Sequence, residues 1–270
     1  MANRRKKKKN RWMAALRDVL LALLLIGVVV SVIALIYGKL FGWNETQIAP
    51  NRYRTEAFYR EDGFLHYQDA PYMIGIDVSA HQGQIDWERV RDAGVEFAIL
   101  RAGFRGYAEG TLSEDDYFRE NYEGARRVGL KIGVYFFSQA RSEAEAMEEA
   151  QFVCSLLAGC TLDLPVYFDW ETVDKSDRIT GVEDIPITQC AVAFCEEIER
   201  SGFDAGVYFN QTYGYMHLEL EKLQDYALWL AEYNDTPGFA YHFHCLQYSD
   251  SGSVDGIKGK VDLDLLMLED

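Results

Sequence analysis

The sequence predicts an α/β fold: an irregular (β/α) barrel with a β-rich C-terminal end, preceded by a single N-terminal transmembrane helix. Three observations carry that prediction. Short runs rich in Val, Ile, Phe and Tyr recur from Met73 onward. Amphipathic stretches with helix boundary signals separate the earlier runs. A run of 19 residues without a charge, Val19 to Tyr37, follows a strongly basic start.

The basic start is RRKKKKNR, residues 4–11, with seven basic side chains. Nineteen apolar residues span a bilayer as a helix, whereas the apolar core of a signal peptide runs only about 7 to 15 residues before its cleavage site. We therefore read 1–18 as a cytoplasmic basic segment and 19–37 as the transmembrane helix. The positive-inside rule keeps the basic end in the cytoplasm and sends everything after Tyr37 outside. The protein is thus expected in the cell membrane, single-pass, with its folded domain extracytoplasmic. Residues 38–71, polar and aromatic with weak periodicity, read as a stalk, and 72–270 as the folded domain.

Within that domain the strand runs are MIGIDVSA (73–80), FAILRAGF (97–104), KIGVYFFSQA (131–140), LPVYFDWE (164–171), DAGVYFN (204–210), ALWLAEY (227–233) and FHCLQYS (243–249). Ser113 with Asp116 precedes YFRENYEGARRVG, and Ser142 with Glu145 precedes AMEEAQFVCSLLAG, each spacing a capping signal. Gly129, Gly159 and Gly202 sit where helices commonly end. Strand, helix, strand at this spacing predicts parallel βα units closing toward a barrel. From about Leu228 the runs are separated by NDTPGFAYH and DSGSVDGIKGK without helices, which makes the barrel irregular.

Charge and cysteine content narrow the function. The net charge is −16, but eight of the 27 basic and one of the 43 acidic residues precede Val19, leaving −23 for the rest. A domain that acidic does not seek nucleic acid. The cysteines at 154, 160, 190, 195 and 245 form neither a C-x-x-C pair nor a Cys/His cluster. They read as small buried apolar residues, and neither a metal nor a cofactor is called for.

In βα barrels reactive groups collect at the C-terminal ends of the strands. Acids at such positions are Asp77, Asp169 and Glu171, and Asp262 or Asp264 in KVDLDLL. Asp169 and Glu171 share one strand face with Tyr167, about 7 Å apart along the backbone. Two acids inside an apolar, aromatic run are costly to bury without a use. Paired carboxylates in a desolvated cleft split their pKa values, leaving one as an acid and one ionised, the division that glycosidic cleavage requires. Tyr135, Tyr167, Tyr208, Trp229 and Tyr248 fall late in the strand runs, where sugar faces would stack.

The blocks GIDVSAHQGQIDW (75–87), LRAGF (100–104), DDYFRENYEGARRVGLKIGVYFF (115–137), PVYFDWE (165–171), LQYS (246–249) and VDLD (261–264), in this order, resemble glycoside hydrolase family 25, the N-acetylmuramidase lysozymes. The resemblance covers about residues 73–268. It implies cleavage, with retention, of the β-1,4 bond between N-acetylmuramic acid and N-acetylglucosamine in peptidoglycan glycan strands. It also implies Glu171 as acid/base, Asp169 as its D-x-E partner, Asp77 and Asp262 as further site acids, and Gln247 as a sugar contact. Leu246 departs from the aromatic that many relatives carry before QYS. Two mechanisms stay open: attack by the substrate's own 2-acetamido group oriented by Asp169, or a covalent nucleophile, Asp169 or Asp262. An anchored enzyme would remodel the cell's own wall or open it for envelope-spanning machinery. The competing readings are a non-catalytic peptidoglycan scaffold and, third, a chitinase-like enzyme, whose D-x-x-D-x-D-x-E pattern is absent here.

Overall fold

The β-branched and aromatic runs close on themselves. The computed structural model describes Met13, Leu21 and residues 23–34, 48–173, 178–179 and 185–268. The chain divides into two compact units, Met1–Gln47 and Ile48–Asp270. In the first, residues 23–34 are helical and apolar side chains such as Leu24 and Leu25 are exposed. Among the described residues no helix is long and apolar enough to cross a membrane. The remainder of the expected span 19–37, Leu21 apart, and the basic segment 1–18, Met13 apart, lie outside the described residues.

In the second unit a short hairpin, β1 (Phe58–Glu61) and β2 (Phe64–Tyr67), precedes the barrel strands β3 (Tyr72–Val78) and β4 (Phe97–Arg105). A three-residue strand β5 (Leu112–Glu114) follows, then β6 (Lys131–Ser138), β7 (Val166–Trp170), β8 (Ala205–Asn210), β9 (Ala227–Ala231), β10 (Cys245–Gly252) and β11 (Val261–Met267). Neighbours around the barrel run β3, β4, β6, β7, β8, β9, β10, β11 and back to β3, eight strands in all. Seven are mutually parallel where they touch, and β11 closes the ring antiparallel to both β10 and β3. No helix separates β9, β10 and β11, so the expected β-rich C-terminal end is present.

Alternation along each strand sorts side chains to two cores. Phe97, Ile99, Tyr167, Trp229, Cys245 and Leu266 fill the inside of the barrel. Ile76, Leu100, Val134, Phe168 and Val207 face outward and join Phe118, Val153 and Phe194 of the covering helices. Each such full burial contributes roughly 1.5–3 kcal/mol. The helices run Trp87–Asp92, Phe118–Arg127, Glu143–Leu156 and Ile187–Arg200, with Gln211–Met216 after β8. Ser142 caps Glu143–Leu156: its hydroxyl accepts from the Glu145 N–H at 3.4 Å. Gly129, Gly159 and Gly202 end their helices at φ of 83°, 85° and 89°. The Ser113 signal misleads, because Ser113 is taken up by β5 pairing with Phe104, and Asp115 instead turns the chain by accepting from the Tyr117 N–H at 2.9 Å.

The reading of 38–71 as a stalk fails over 48–71, and 38–47 lie outside the described residues. Residues 48–71 belong to the folded unit: Asn51 N donates to Ala240 O at 2.9 Å, the Tyr53 hydroxyl to Phe243 O at 3.0 Å, and Leu65 N to the Tyr248 hydroxyl at 3.2 Å. The turn between β1 and β2 is Asp62-Gly63, both at positive φ, the geometry that a two-residue hairpin requires.

Close packing inside the barrel makes one glycine indispensable. A Cβ on Gly75 would collide with the Phe97 ring, itself fully buried at the barrel floor. Gly75→Ala is expected to cost about 1–3 kcal/mol through overpacking. A thermal melt with the midpoint unchanged would contradict this packing.

Candidate active site

All seven parallel strands end on one rim, and antiparallel β11 begins there. That arrangement brings together acids from distant parts of the chain. Asp77, near the end of β3, is paired in register with Asp262, at the start of β11. On β7, Tyr167 and Asp169 point inward, and Glu171 follows just past the strand end. Asp77, Asp169, Glu171 and Asp262 line one cavity of about 230 Å³.

An ordered polar network organises one wall. Tyr208 and Tyr233 both donate their hydroxyls to Gln247 Oε1, at 3.0 and 3.1 Å. With its oxygen thus assigned, the Gln247 amide nitrogen donates to Asp77 Oδ2 at 2.7 Å. On the opposite side Arg101, reaching in from β4, is held by Asp115, whose Oδ2 accepts from the Arg101 Nε at 2.7 Å and from the Ala80 N–H at 3.0 Å. Trp229 forms the floor, packed edge-on against Tyr208, Tyr167 and Tyr135 at 4.7, 5.1 and 6.0 Å between ring centres.

Four carboxyls around one guanidinium leave an excess of negative charge in a small space. Burial, and then the neighbouring Glu171, push the Asp169 carboxyl well above the usual carboxylate range. Burial and then Asp262 raise Glu171. Burial holds Asp262 up at about 6, with Asp250 adding to the effect. Burial, Asp264 and Asp262 raise Asp77, against the lowering pull of Gln247. Each of these carboxyls is thereby held above its ordinary range, the direction that acid catalysis draws on. Among the described residues no group of His, Cys, Asp and Glu is placed to hold a metal ion.

The sequence pattern of the family described as glycosyl hydrolases family 25 matches residues 76–257, two thirds of the chain. The chain belongs to glycosyl hydrolases family 25. It is 32% identical over 193 residues to the autolytic lysozyme of Clostridium acetobutylicum, covering 71% of this chain and 55% of that protein. Its fold is similar to that of the modular autolysin LytC from Streptococcus pneumoniae, with a TM-score of 0.64 at 25% identity over 77% of this chain and 52% of that one. A family 25 glycosyl hydrolase from Bacillus anthracis shares the fold, with a TM-score of 0.58 at 20% identity over 76% of this chain and 93% of that one. The chain thus spans about half the length of the first two relatives.

Within this family 25 barrel the residues singled out from the sequence separate into two groups. Tyr135, Tyr208, Trp229 and Gln247 join the four acids at the cavity. Tyr167 does not: it is 1% exposed, one inward step below Asp169 and packed under Trp229. Tyr248 points the other way, covered by the β1–β2 hairpin with Arg60 over its ring at 4.7 Å. Leu246 is also outward, fully buried in the outer core, so its departure from the family pattern lies away from the cavity. Of the two acids Asp262 and Asp264, Asp262 lines the cavity, while Asp264 is buried below it against the Trp229 indole.

Sequence reasoning missed Arg101, Tyr107, Phe137 and Tyr233, which line the cavity together with His81, the neighbour of Asp77 that the sequence reads as tuning that acid or packing against the loop. Arg101 and Phe137 sit at inward positions of runs already read as strands, so alternation could have found them. Tyr107 and Tyr233 stand on loops beyond strand ends and are about half exposed, the form of an aromatic wall rather than of a core residue.

Proposed function

We propose that this chain is a membrane-anchored peptidoglycan hydrolase that cleaves the β-1,4 bond between N-acetylmuramic acid and N-acetylglucosamine with retention, using Glu171 as acid/base. One observation carries the reading: four carboxyls from three strands converge on a single cavity of a family 25 barrel. Membership of that family supports a glycoside hydrolase of the lysozyme type.

Asp169 lines the cavity, and its Oδ1 is buried with no hydrogen-bond partner among the described residues. A substrate 2-acetamido N–H donating to it would favour the ionised form of Asp169 and leave the pair's proton on Glu171. Glu171 then protonates the glycosidic oxygen, the acetamido oxygen attacks C1, and the bond to the leaving sugar breaks. The oxazolinium formed is opened by water, which returns its proton to Glu171. Two displacements at C1 give net retention. Asp77 and Asp262 complete the acidic wall, and Tyr107 and Tyr233 offer faces for sugar rings.

Anchoring rests on the charge-free run 19–37 behind RRKKKKNR, with helical residues 23–34 exposing their apolar side chains. The basic segment 1–18 would lie in the cytoplasm, and 48–270 would act outside, on the cell's own wall or beside envelope-spanning machinery.

The test is digestion of purified peptidoglycan by the full chain, with mass spectrometry of the new reducing ends. Muramic acid ends support the reading. Wall binding without cleavage would replace it with a scaffold, and turnover of chitin alone with a chitinase-like enzyme.

The acid also predicts a pH dependence. Activity needs protonated Glu171, so it falls as pH rises through the raised Glu171 pKa. The Asp262 charge is one cause of that elevation. Asp262→Asn removes it and is expected to move the basic limb of the rate–pH profile to lower pH, along with any loss of rate. A limb that stays in place would mean that Asp262 does not act on the acid.

A further inference from the structure

Asp264 is a fifth carboxyl that the proposed chemistry does not touch. It is fully buried, two residues after Asp262 on β11, and pairs in register with Gly75. Asp77 is therefore its diagonal neighbour across the β3–β11 pair, on the same inward face. The Trp229 indole N–H donates to Asp264 Oδ1 at 2.9 Å. Asp264 Oδ2 is buried and has no donor of its own. The Asp77 and Asp264 side chains interact, and Asp77 interacts as well with Asp262, its partner in register.

Around this pair β11 contributes Asp262, β10 contributes Cys245, Gln247 and Tyr248, β8 contributes Tyr208, and β7 contributes Tyr167. β6 adds Tyr135, whose burial leaves it un-ionised. The guanidinium of Arg101 on β4 is committed to Asp115. Among the described residues no cation is paired with either carboxyl, and adjacent buried carboxyls in that situation ionise one at a time.

We propose that Asp77 and Asp264 share one proton at neutral pH, the Asp77 O–H donating to Asp264 Oδ2, and that Asp264 is thereby a positioning residue for the site. The arrangement supplies the donor that Oδ2 lacks. It leaves Asp77 Oδ2 as acceptor for Gln247, and it seats the pair's single negative charge at the floor between the Trp229 N–H and the Asp77 O–H. Charge is kept one residue step away from Asp262 and the acid.

Infrared difference spectra of the full chain at pH 7 test this directly, through the carbonyl stretch of un-ionised carboxyl groups. In Asp264→Asn the new amide donates to Asp77, which ionises, so one acid band is expected to vanish. In Asp77→Asn the amide donates to Asp264, and the same band is expected to vanish. A band that survives either substitution, or wild-type spectra without it, would overturn the shared proton. Asp77→Asn alone decides the matter if Asp264→Asn does not fold.

A kinetic arm rests on the hydrolase reading. In Asp264→Asn the charge moves up to Asp77, so the basic limb of kcat against pH is expected to shift upward by about half a unit or more, with KM held within about twofold. A lowered kcat with the limb unmoved would reduce Asp264 to packing. The infrared bands decide even in a chain that digests no wall, so failure of the hydrolase reading remains distinguishable.

Discussion

Replacing Glu171 by glutamine is expected to lower kcat for peptidoglycan digestion by about 10³-fold or more, with binding to the wall retained. The alkoxide of a departing sugar is a poor leaving group at neutral pH, and burial and Asp262 hold the Glu171 carboxyl above its usual range. Glutamine keeps the size and the hydrogen-bonding edge of Glu171 while removing the proton. The fold is not at risk, since the Glu171 backbone carbonyl that Gln139 holds at 2.9 Å is unchanged. Reducing-end release and a wall pull-down, measured on the same preparations, check both halves. A variant that retains near-native kcat would remove Glu171 from the role of acid, and one that no longer binds the wall would make it a ligand for substrate instead.

How far the sequence foresaw this site depends on what alternation can and cannot report. Two-residue periodicity correctly put Asp169 and Glu171 on one face, and the same rule separates Gln247 from its neighbours: if Gln247 faces the cavity, Leu246 and Tyr248 must face away, as they do. Reading Tyr248 as a sugar platform beside Gln247 violated that rule. Depth is what periodicity does not carry. Tyr167 and Asp169 share a face, yet one is packed under Trp229 and the other lines the cavity, because the register of β7 against its neighbours sets the height of each side chain. Asp262 and Asp264 differ in the same way. Asp262 belongs to the site because β11 is antiparallel and starts at the rim where the other strands end, a topological fact that the short run VDLDLL does not announce. The segment 48–71 was unreadable for another reason. Strands of four residues have too few positions for a period to emerge, although Asp62-Gly63 was the usable hairpin signal.

Arg105→Ala is expected to destabilise the folded unit by about 3–5 kcal/mol, because it strands a buried carboxylate. Arg105 ends β4 with its side chain 5% exposed, and its Nε donates to Glu149 Oε1 at 2.7 Å. Its remaining N–H groups reach Gly110 O at 2.9 Å, Glu145 O at 3.0 Å and Glu148 Oε2 at 2.8 Å. Glu149 is fully buried on the helix Glu143–Leu156, and the Ser138 hydroxyl donates to its other oxygen at 2.6 Å. Ser138 in turn accepts from the Ala140 N–H at 3.1 Å, so the pair braces the loop from which Gln139 holds the Glu171 carbonyl.

The loss should depend on pH in a definite direction. Burial pushes the Glu149 carboxyl up to about 7, against the lowering pull of Ser138 and Arg105. A carboxyl whose folded pKa is raised binds its proton more tightly when folded, so its contribution to stability is present at low pH and is lost as pH rises from about 4.5 through 7. Removing Arg105 raises that pKa further. The deficit of Arg105→Ala relative to wild type is therefore expected to be small near pH 5, where Glu149 is readily protonated, and to grow by about 1.4 kcal/mol per pH unit above about 7 toward its full value. At about 2–4 °C per kcal/mol, the high-pH deficit corresponds to a melting point lower by roughly 10 °C. Adding Glu149→Gln to Arg105→Ala removes the titrating group and should recover stability at pH 8 while flattening the pH dependence. Equal melting deficits at pH 5 and pH 8, or no rescue by the amide, would show that Arg105 stabilises through packing and its backbone contacts, and that Glu149 carries no charge in the fold.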